Sequence, residues 1–415
     1  MRALSTESTP PGDAQEAAEA PTLLDTLARA PAAAALVVGA LDQLDDCKAL
    51  RLAHPQLRDA VGEATTTLEV IAPGGAAAAR PPTPRRWPRL EQLIMSGPDS
   101  AALEELELAT WGRLHTLTLE YFSRGGLSAP SARALASALR RMPALRALKL
   151  WNVELSDAAA AELFRRAECA PRLRSLTVSE ARLTWAAVRA LAAAGWPLEE
   201  LRLDEYTRLG AAGVAALAAA PTFAIRRLDL SNCGLDAAAL LAVANAPWPL
   251  EELDLSWNDF SAAAAGPALA ALSRHARLRE LILDRCYLSA AGFKALVEAA
   301  WPALTTLYAG SADVKFDGPH ALGAAAFSGF LALKELDLEA VALYEAGARL
   351  LDNVRWPRLQ VLGLYNCMLG DAGLAALARG EWPALQRLVL VKNHLNRRPT
   401  LEDLRRWTPA LVELD

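Results

Sequence analysis

The side chains of this 415-residue chain that could do chemistry are five histidines, five cysteines and 48 carboxylates. A metalloprotease needs HExxH, a serine hydrolase GxSxG, a phosphate-binding enzyme a Gly-rich loop, and a redox or zinc centre paired CxxC, because each spacing brings its groups to one point. None of these patterns occurs. His54, His115, His275, His320 and His394 fall in different segments with no spacing that gathers them, and His115 and His275 read as ordinary loop residues beside strands. Cys233, Cys286 and Cys367 recur at one position of a repeat, which makes them reduced packing residues rather than disulfides. The chain is therefore expected to be no enzyme and to take no cofactor or metal. Its carboxylates recur in step with apolar residues, and that regularity points to a charged surface.

The elements that must position them are read from IRRLDLSNCGL, Ile225 to Leu235, whose apolar spacing recurs through most of the chain. Aligned on the second leucine, the copies fall at Leu68, Leu93, Leu117, Leu148, Leu176, Leu201, Leu228, Leu253, Leu281, Leu307, Leu336, Leu362, Leu388 and Leu414. The mean interval is about 26.6 residues, the period of a solenoid. Three residues before each leucine the residue is apolar except at Thr65, and two residues after it is apolar again, weakest at Ala309. Alternation of this kind predicts a strand with one buried face. Next comes a buried Asn or Cys (Cys233, Asn258, Cys286, Cys367, Asn393), then a helical stretch rich in Ala, Leu and Arg with Asp371 near the start of one copy. Trp-Pro is expected to end the helix at Trp87, Trp196, Trp248, Trp301, Trp356 and Trp382, with the tryptophans packed at the corner before the next strand. Neither strand nor helix can bury its apolar face alone, so the units must stack.

The pattern LxxLxLxxN/CxL followed by a helical GxxxL, best seen at Leu281 to Leu296 and Leu362 to Leu377, resembles ribonuclease-inhibitor-like leucine-rich repeats. The resemblance covers residues 65–415 in about 13 to 14 repeats. It implies an α/β class solenoid, a curved horseshoe with a parallel β-sheet on the concave face and helices on the convex face, built for protein binding.

At 53% hydrophobic and 6% aromatic residues there is ample leucine and alanine to bury along one continuous core. The net charge of −5 and the absence of Lys/Arg runs beyond short pairs exclude a phosphate-binding face, so nucleic acid is not expected. No basic-then-apolar leader opens the sequence and no apolar run could span a bilayer, so a cytoplasmic monomer away from membranes is expected, with the nucleus, cytoskeleton or cilium as other settings.

Residues 1–20 lack large apolar side chains and read as disordered. Residues 21–64 depart from the repeat and read as two or three short helices. Their stretch Leu41 to Val61 is similar to the second half of an F-box, although Ala53-His54-Pro55 stands where Val-Cys-Arg is usual. The resemblance implies docking of a ubiquitin-ligase adaptor subunit on Leu36, Leu41, Leu50 and Leu57. The other reading is a helical cap over the first repeat. Gly- and Pro-rich residues after Val70, the Gly125-Gly126 insertion and the stretch after Leu307 predict long loops. The terminal strand would leave an open edge that a partner covers, that Glu413 and Asp415 guard, or that continues in a longer product.

With the repeat leucines buried, the flanking residues must face the other way. That places Glu200, Asp204, Asp229, Glu252, Asp254, Glu280 and Asp284 on the concave face with Arg202 and Arg227, and further along Glu335 and Asp337. Trp151, Tyr308 and Tyr365 interrupt the strip, with Tyr206 and Trp257 just beyond strand ends, and Val361, Val389 and Val391 make its last part more apolar. Such a face attracts a partner of basic or mixed charge. The expected function is a non-catalytic protein-interaction scaffold, sharpened by the F-box-like segment to a substrate receptor of a cullin-based ubiquitin ligase. The alternatives are an inhibitor or regulator of a basic protein, and a structural part of a cytoskeletal or ciliary assembly.

Overall fold

The computed structural model describes residues 66–71, 81–85, 87–121, 126–164, 170–181, 183–204, 209–310, 322, 326–396 and 411–413. Residues 1–20, the F-box-like segment 21–64 with its four leucines, Tyr206 and most of the three expected long loops lie outside them. The chain divides into two compact units, residues 67–84 with 90–415 and residues 1–66 with 85–89. Every element described below belongs to the former.

Its strands are β1 (Thr67–Ile71), β2 (Gln92–Ser96), β3 (Thr116–Glu120), β4 (Ala147–Trp151), β5 (Ser175–Ser179), β6 (Glu200–Arg202) and β7 (Arg227–Asp229). They continue with β8 (Glu252–Asp254), β9 (Glu280–Ile282), β10 (Thr306–Tyr308), β11 (Glu335–Asp337), β12 (Val361–Gly363), β13 (Arg387–Val389) and β14 (Leu411–Glu413). All fourteen pair in chain order in one open parallel sheet. The helices are α1 (Ser100–Glu107), α2 (Ala129–Leu139), α3 (Asp157–Phe164), α4 (Trp185–Ala192) and α5 (Gly210–Ala218), then α6 (Ala237–Ala244), α7 (Ala265–Ala271), α8 (Ala290–Glu298), α9 (Tyr344–Asp352) and α10 (Gly370–Leu377). This is a leucine-rich-repeat solenoid. The repeat leucines from Leu68 to Leu388 stand opposite one another in register, and none is more than 7% exposed.

The last copy corrects the expected alignment: Val412, not Leu414, stands opposite Leu388. The buried face alternates, so two apolar residues two apart are equivalent on pattern alone, and only the backbone pairing chooses between them.

Behind the strands the Asn/Cys position ties one repeat to the next. Asn258, 2% exposed, accepts hydrogen bonds from the backbone N–H groups of Cys233 (3.2 Å) and Leu235 (2.8 Å). It donates to the carbonyls of Leu230 (2.9 Å) and Leu255 (2.8 Å). Asn393 does the same for Cys367 N–H (2.9 Å) and the Leu364 carbonyl (2.6 Å). The buried thiols of Cys233, Cys286 and Cys367 each donate to a carbonyl of the preceding repeat, at Leu203, Leu255 and Leu338, and those of Cys286 and Cys367 also lie near the Asp284 and Tyr365 carbonyls of their own repeat. Burial pushes all three thiols well above their usual pKa, as expected of packing groups.

Helices α1, α2, α4, α6 and α8 open on a side chain that accepts from a first-turn N–H: Asp99, Ser128, Thr184, Asp236 and Ser289. At the other end the expected Trp-Pro stop is displaced. Helices α4, α6, α8, α9 and α10 end three to five residues before their tryptophan. In two of them the indole then reaches back: Trp301 donates to the Leu296 carbonyl (2.8 Å) and Trp356 to that of Leu351 (3.2 Å), satisfying carbonyls left open at the helix end. His275 has a related task. Far from an ordinary loop residue, it is 9% exposed, with Nε2 3.0 Å from the Val243 carbonyl of the preceding repeat.

Candidate protein-interaction face

Strand pairing arranges the solvent-side residues of the sheet in rows that cross the strands at about 4.8 Å per step. In the central strands the first row reads Glu200, Arg227, Glu252, Glu280, Thr306, Glu335. The second reads Arg202, Asp229, Asp254, Ile282, Tyr308, Asp337. A third, two residues further along each chain segment, holds Asp204, Ser231, Ser256, Asp284, Gly310 and Glu339.

Arginine neutralises one end of this field and not the other. Arg227 pairs with Glu200 (3.1 Å), and Arg202 bridges Asp204 (2.8 Å) and Asp229 (3.0 Å). Burial opposes the charge on Arg202, yet the hydrogen bond with Asp204 and the charge of Asp229 hold its pKa above the usual arginine value. Beyond them Glu252 stands opposite Glu280, and Asp229 opposite Asp254. Like charges placed directly opposite destabilise a sheet. The consequence is visible at Asp254, whose pKa is raised to about 6 by burial and by Asp229. Glu280 is raised by burial and by Glu252 and Glu335, and Asp337 by burial with Asp284 and Glu335 adding to it. These rows floor a cleft of about 250 Å³ whose walls include Arg227, Asp229, Glu252, Asp254, Glu280 and Ile282.

Two aspartates are also held from below. Asp229 Oδ1 accepts from Ser231 N–H (3.0 Å) and hydroxyl (2.7 Å), and Asp254 Oδ1 accepts from Ser256 in the same way (2.9 and 2.6 Å). The repeated Asp-x-Ser spacing carried this signal in the sequence. One oxygen of each carboxylate is thereby fixed, and the carboxylates are aimed rather than free to swing. Asp284 and Asp337 bind the backbone N–H of Gly310 (2.8 Å) and Glu339 (2.9 Å). Asp337 lies against Gly363, where an added Cβ would come within 2.7 Å of the carboxylate.

Asp204 is the correction to the sequence-derived map. It is 4% exposed, with one oxygen on Arg202 and Oδ1 without a hydrogen-bond partner, so it orders the arginine and is closed to a partner protein. The aromatic positions are half-buried on the face. The Trp151 ring lies 5.9 Å from the Arg202 guanidinium. Burial and a hydrogen bond with Glu335 push the Tyr308 phenol up, and Lys392 Nζ sits 5.1 Å over the Tyr365 ring. Among the described residues no group of three or more His, Cys, Asp or Glu could hold a metal ion.

No family model and no curated protein matches this chain. Among solved structures it is similar to the crystal structure of the yeast Rad7 and Elc1 complex, at 13% identity, a TM-score of 0.49 and 92% of each chain covered. What the face can do therefore follows from its own geometry: it offers fixed carboxylates, half-buried rings and a shallow cleft.

Proposed function

We propose that this protein is a non-catalytic interaction scaffold whose sheet face holds a partner protein through basic side chains. The observation that carries this reading is the pairing of like charges at Glu252–Glu280, with Asp254 beside them, an arrangement that a basic partner relieves and that the fold alone does not reward. Lysine or arginine entering the cleft would meet carboxylates already oriented by Ser231 and Ser256. Affinity capture from a native lysate with the full chain, against the Glu252→Lys/Glu280→Lys variant, tests it. Both side chains lie on the solvent side, so the variant keeps its fold. The wild type should retain basic partners that elute as salt rises toward 1 M, where the screening length falls to about 3 Å. An identical set on the variant, or binding indifferent to salt, refutes the reading.

The finer assignment, substrate receptor of a cullin-based ubiquitin ligase, is supported by the F-box-like spacing of Leu41 to Val61. Its test is the loss of ligase subunits from the captured set in a Leu50→Ala/Leu57→Ala variant while sheet-face partners stay. The three unpaired cysteines, Cys233, Cys286 and Cys367, support the reducing setting of the cytoplasm.

A further inference from the structure

The edge of the sheet where strands run into helices carries side chains that the fold does not use. Of the nine large apolar residues exposed among the described ones, five (Tyr121, Trp257, Tyr287, Tyr344 and Met368) have positive φ and lie on these turns. Four residues after the repeat leucine, the backbone enters the left-handed region in every described copy from Leu117 to Leu388. Asn152, Asn232 and Asn366 occupy it in three copies, and asparagine tolerates that conformation better than bulky residues do. Trp257 (φ 60) and Arg285 (φ 55) occupy it in the two copies beside the acidic rows. Tyr287 (φ 48) follows two residues on.

Trp257 and Arg285 are in contact, and Tyr287 stands exposed two residues along the same turn. The Trp257 N–H donates to the Asp284 carbonyl (2.9 Å) and the Arg285 N–H to that of Gly310 (3.0 Å), so the next repeat locks both backbones. The Arg285 guanidinium lies 4.5 Å from the Trp257 ring centroid and makes no ion pair among the described residues. Trp257 and Tyr287 remain 54% and 56% exposed. Asp259 accepts from Ser261 N–H and Asp284 from Gly310 N–H, and Arg285 acts on Asp284 through its charge without forming an ion pair with it among the described residues. A rigid Trp–Arg–Tyr set is the composition that dominates protein interfaces, and its cation lies next to rows that are anionic.

We propose that Trp257, Arg285 and Tyr287 are a second contact for the partner that binds the acidic rows. They take an apolar side chain, aromatic or aliphatic, followed by a carboxylate where the partner's segment leaves the sheet. The segment changes charge sign along its length, basic over Glu252 and Glu280 and acidic at Arg285. This rests on the sheet-face reading above, and the test separates the two.

The probes are short capped peptides alternating lysine and serine, alone or extended at either end by tyrosine–glutamate, titrated against the full chain. Binding of the plain peptide reports the sheet face; the increment from the extension reports the edge. The extension should tighten binding about tenfold, or about 1.4 kcal/mol. Trp257→Asn, Arg285→Gln and Tyr287→Asn should each abolish the increment; Trp257→Asn and Tyr287→Asn should leave the plain peptide's affinity unchanged, and Arg285→Gln, which removes a cation beside the acidic rows, should leave it unchanged or tighter. Because asparagine suits the turn, Trp257→Asn should show an unchanged or higher Tm, which separates lost recognition from lost fold. No increment at either end overturns the proposal, whether or not the plain peptide binds, and so does an increment that survives Trp257→Asn.

Discussion

Replacing Asn258 with alanine removes a side chain that bonds five backbone groups at once, and the structure says which of them matter. The Leu255 carbonyl keeps a donor in the Cys286 thiol (3.0 Å). The N–H groups of Cys233 and Leu235 each have Asn258 Oδ1 as their acceptor, and with Asn258 2% exposed no water takes its place without opening the stack. A buried N–H left without a partner costs about 1–3 kcal/mol, so Asn258→Ala should destabilise by about 2–5 kcal/mol. Cys286→Ala at the equivalent position removes one weak thiol donor and a small volume, which is worth about 1 kcal/mol. Urea unfolding followed by circular dichroism should rank the two variants in that order. A stack of repeats need not unfold in one step, so hydrogen exchange at the Cys233 and Leu235 amides supplies a local reading, with protection lost there first. An Asn258→Ala variant within about 0.5 kcal/mol of wild type, or less damaging than Cys286→Ala, would refute the accounting.

Trp301→Phe keeps a ring able to stack on Phe330, whose centroid is 6.2 Å away, and loses the bond to the Leu296 carbonyl. It should cost about 1–2 kcal/mol in thermal unfolding, against about 3–5 for Trp301→Ala. Asp254 has a folded pKa of about 6 against an ordinary 3.8, caused by burial and by Asp229. The folded state therefore holds the extra proton between those values, and stability should fall by up to about 3 kcal/mol as pH rises from about 4 to 6. Asp254→Asn, which keeps an acceptor for Ser256, should flatten that decline in pH-dependent denaturation curves; an unchanged slope would count against it. Gly126→Ala forces a left-handed residue (φ 69) and sets a Cβ 2.3 Å from the Glu154 carbonyl oxygen, so it should lower stability by about 2–4 kcal/mol, read from the Tm.

The recurrence of leucine at a spacing near 26.6 residues determined the strands, their parallel order, the helices behind them and which residues face solvent. That information is periodic, and one buried face repeated thirteen times leaves a single way to stack. The occupants of the sheet face were legible for the same reason, since alternation alone sends Glu252, Asp254 and Glu280 outward. Tertiary structure decided what each charge meets. Arg202 turns onto Asp204 and Asp229, which buries Asp204 and leaves the unrelieved acids two strands further on, and this depends on distances across strands some 25 residues apart in sequence. It also chose Val412 over Leu414, because identical chemistry two residues apart carries no register. The cap by His275 could not be read locally either, since it bonds a carbonyl supplied by the preceding repeat. Periodicity says which way a side chain points; only the packed neighbour says what it finds there.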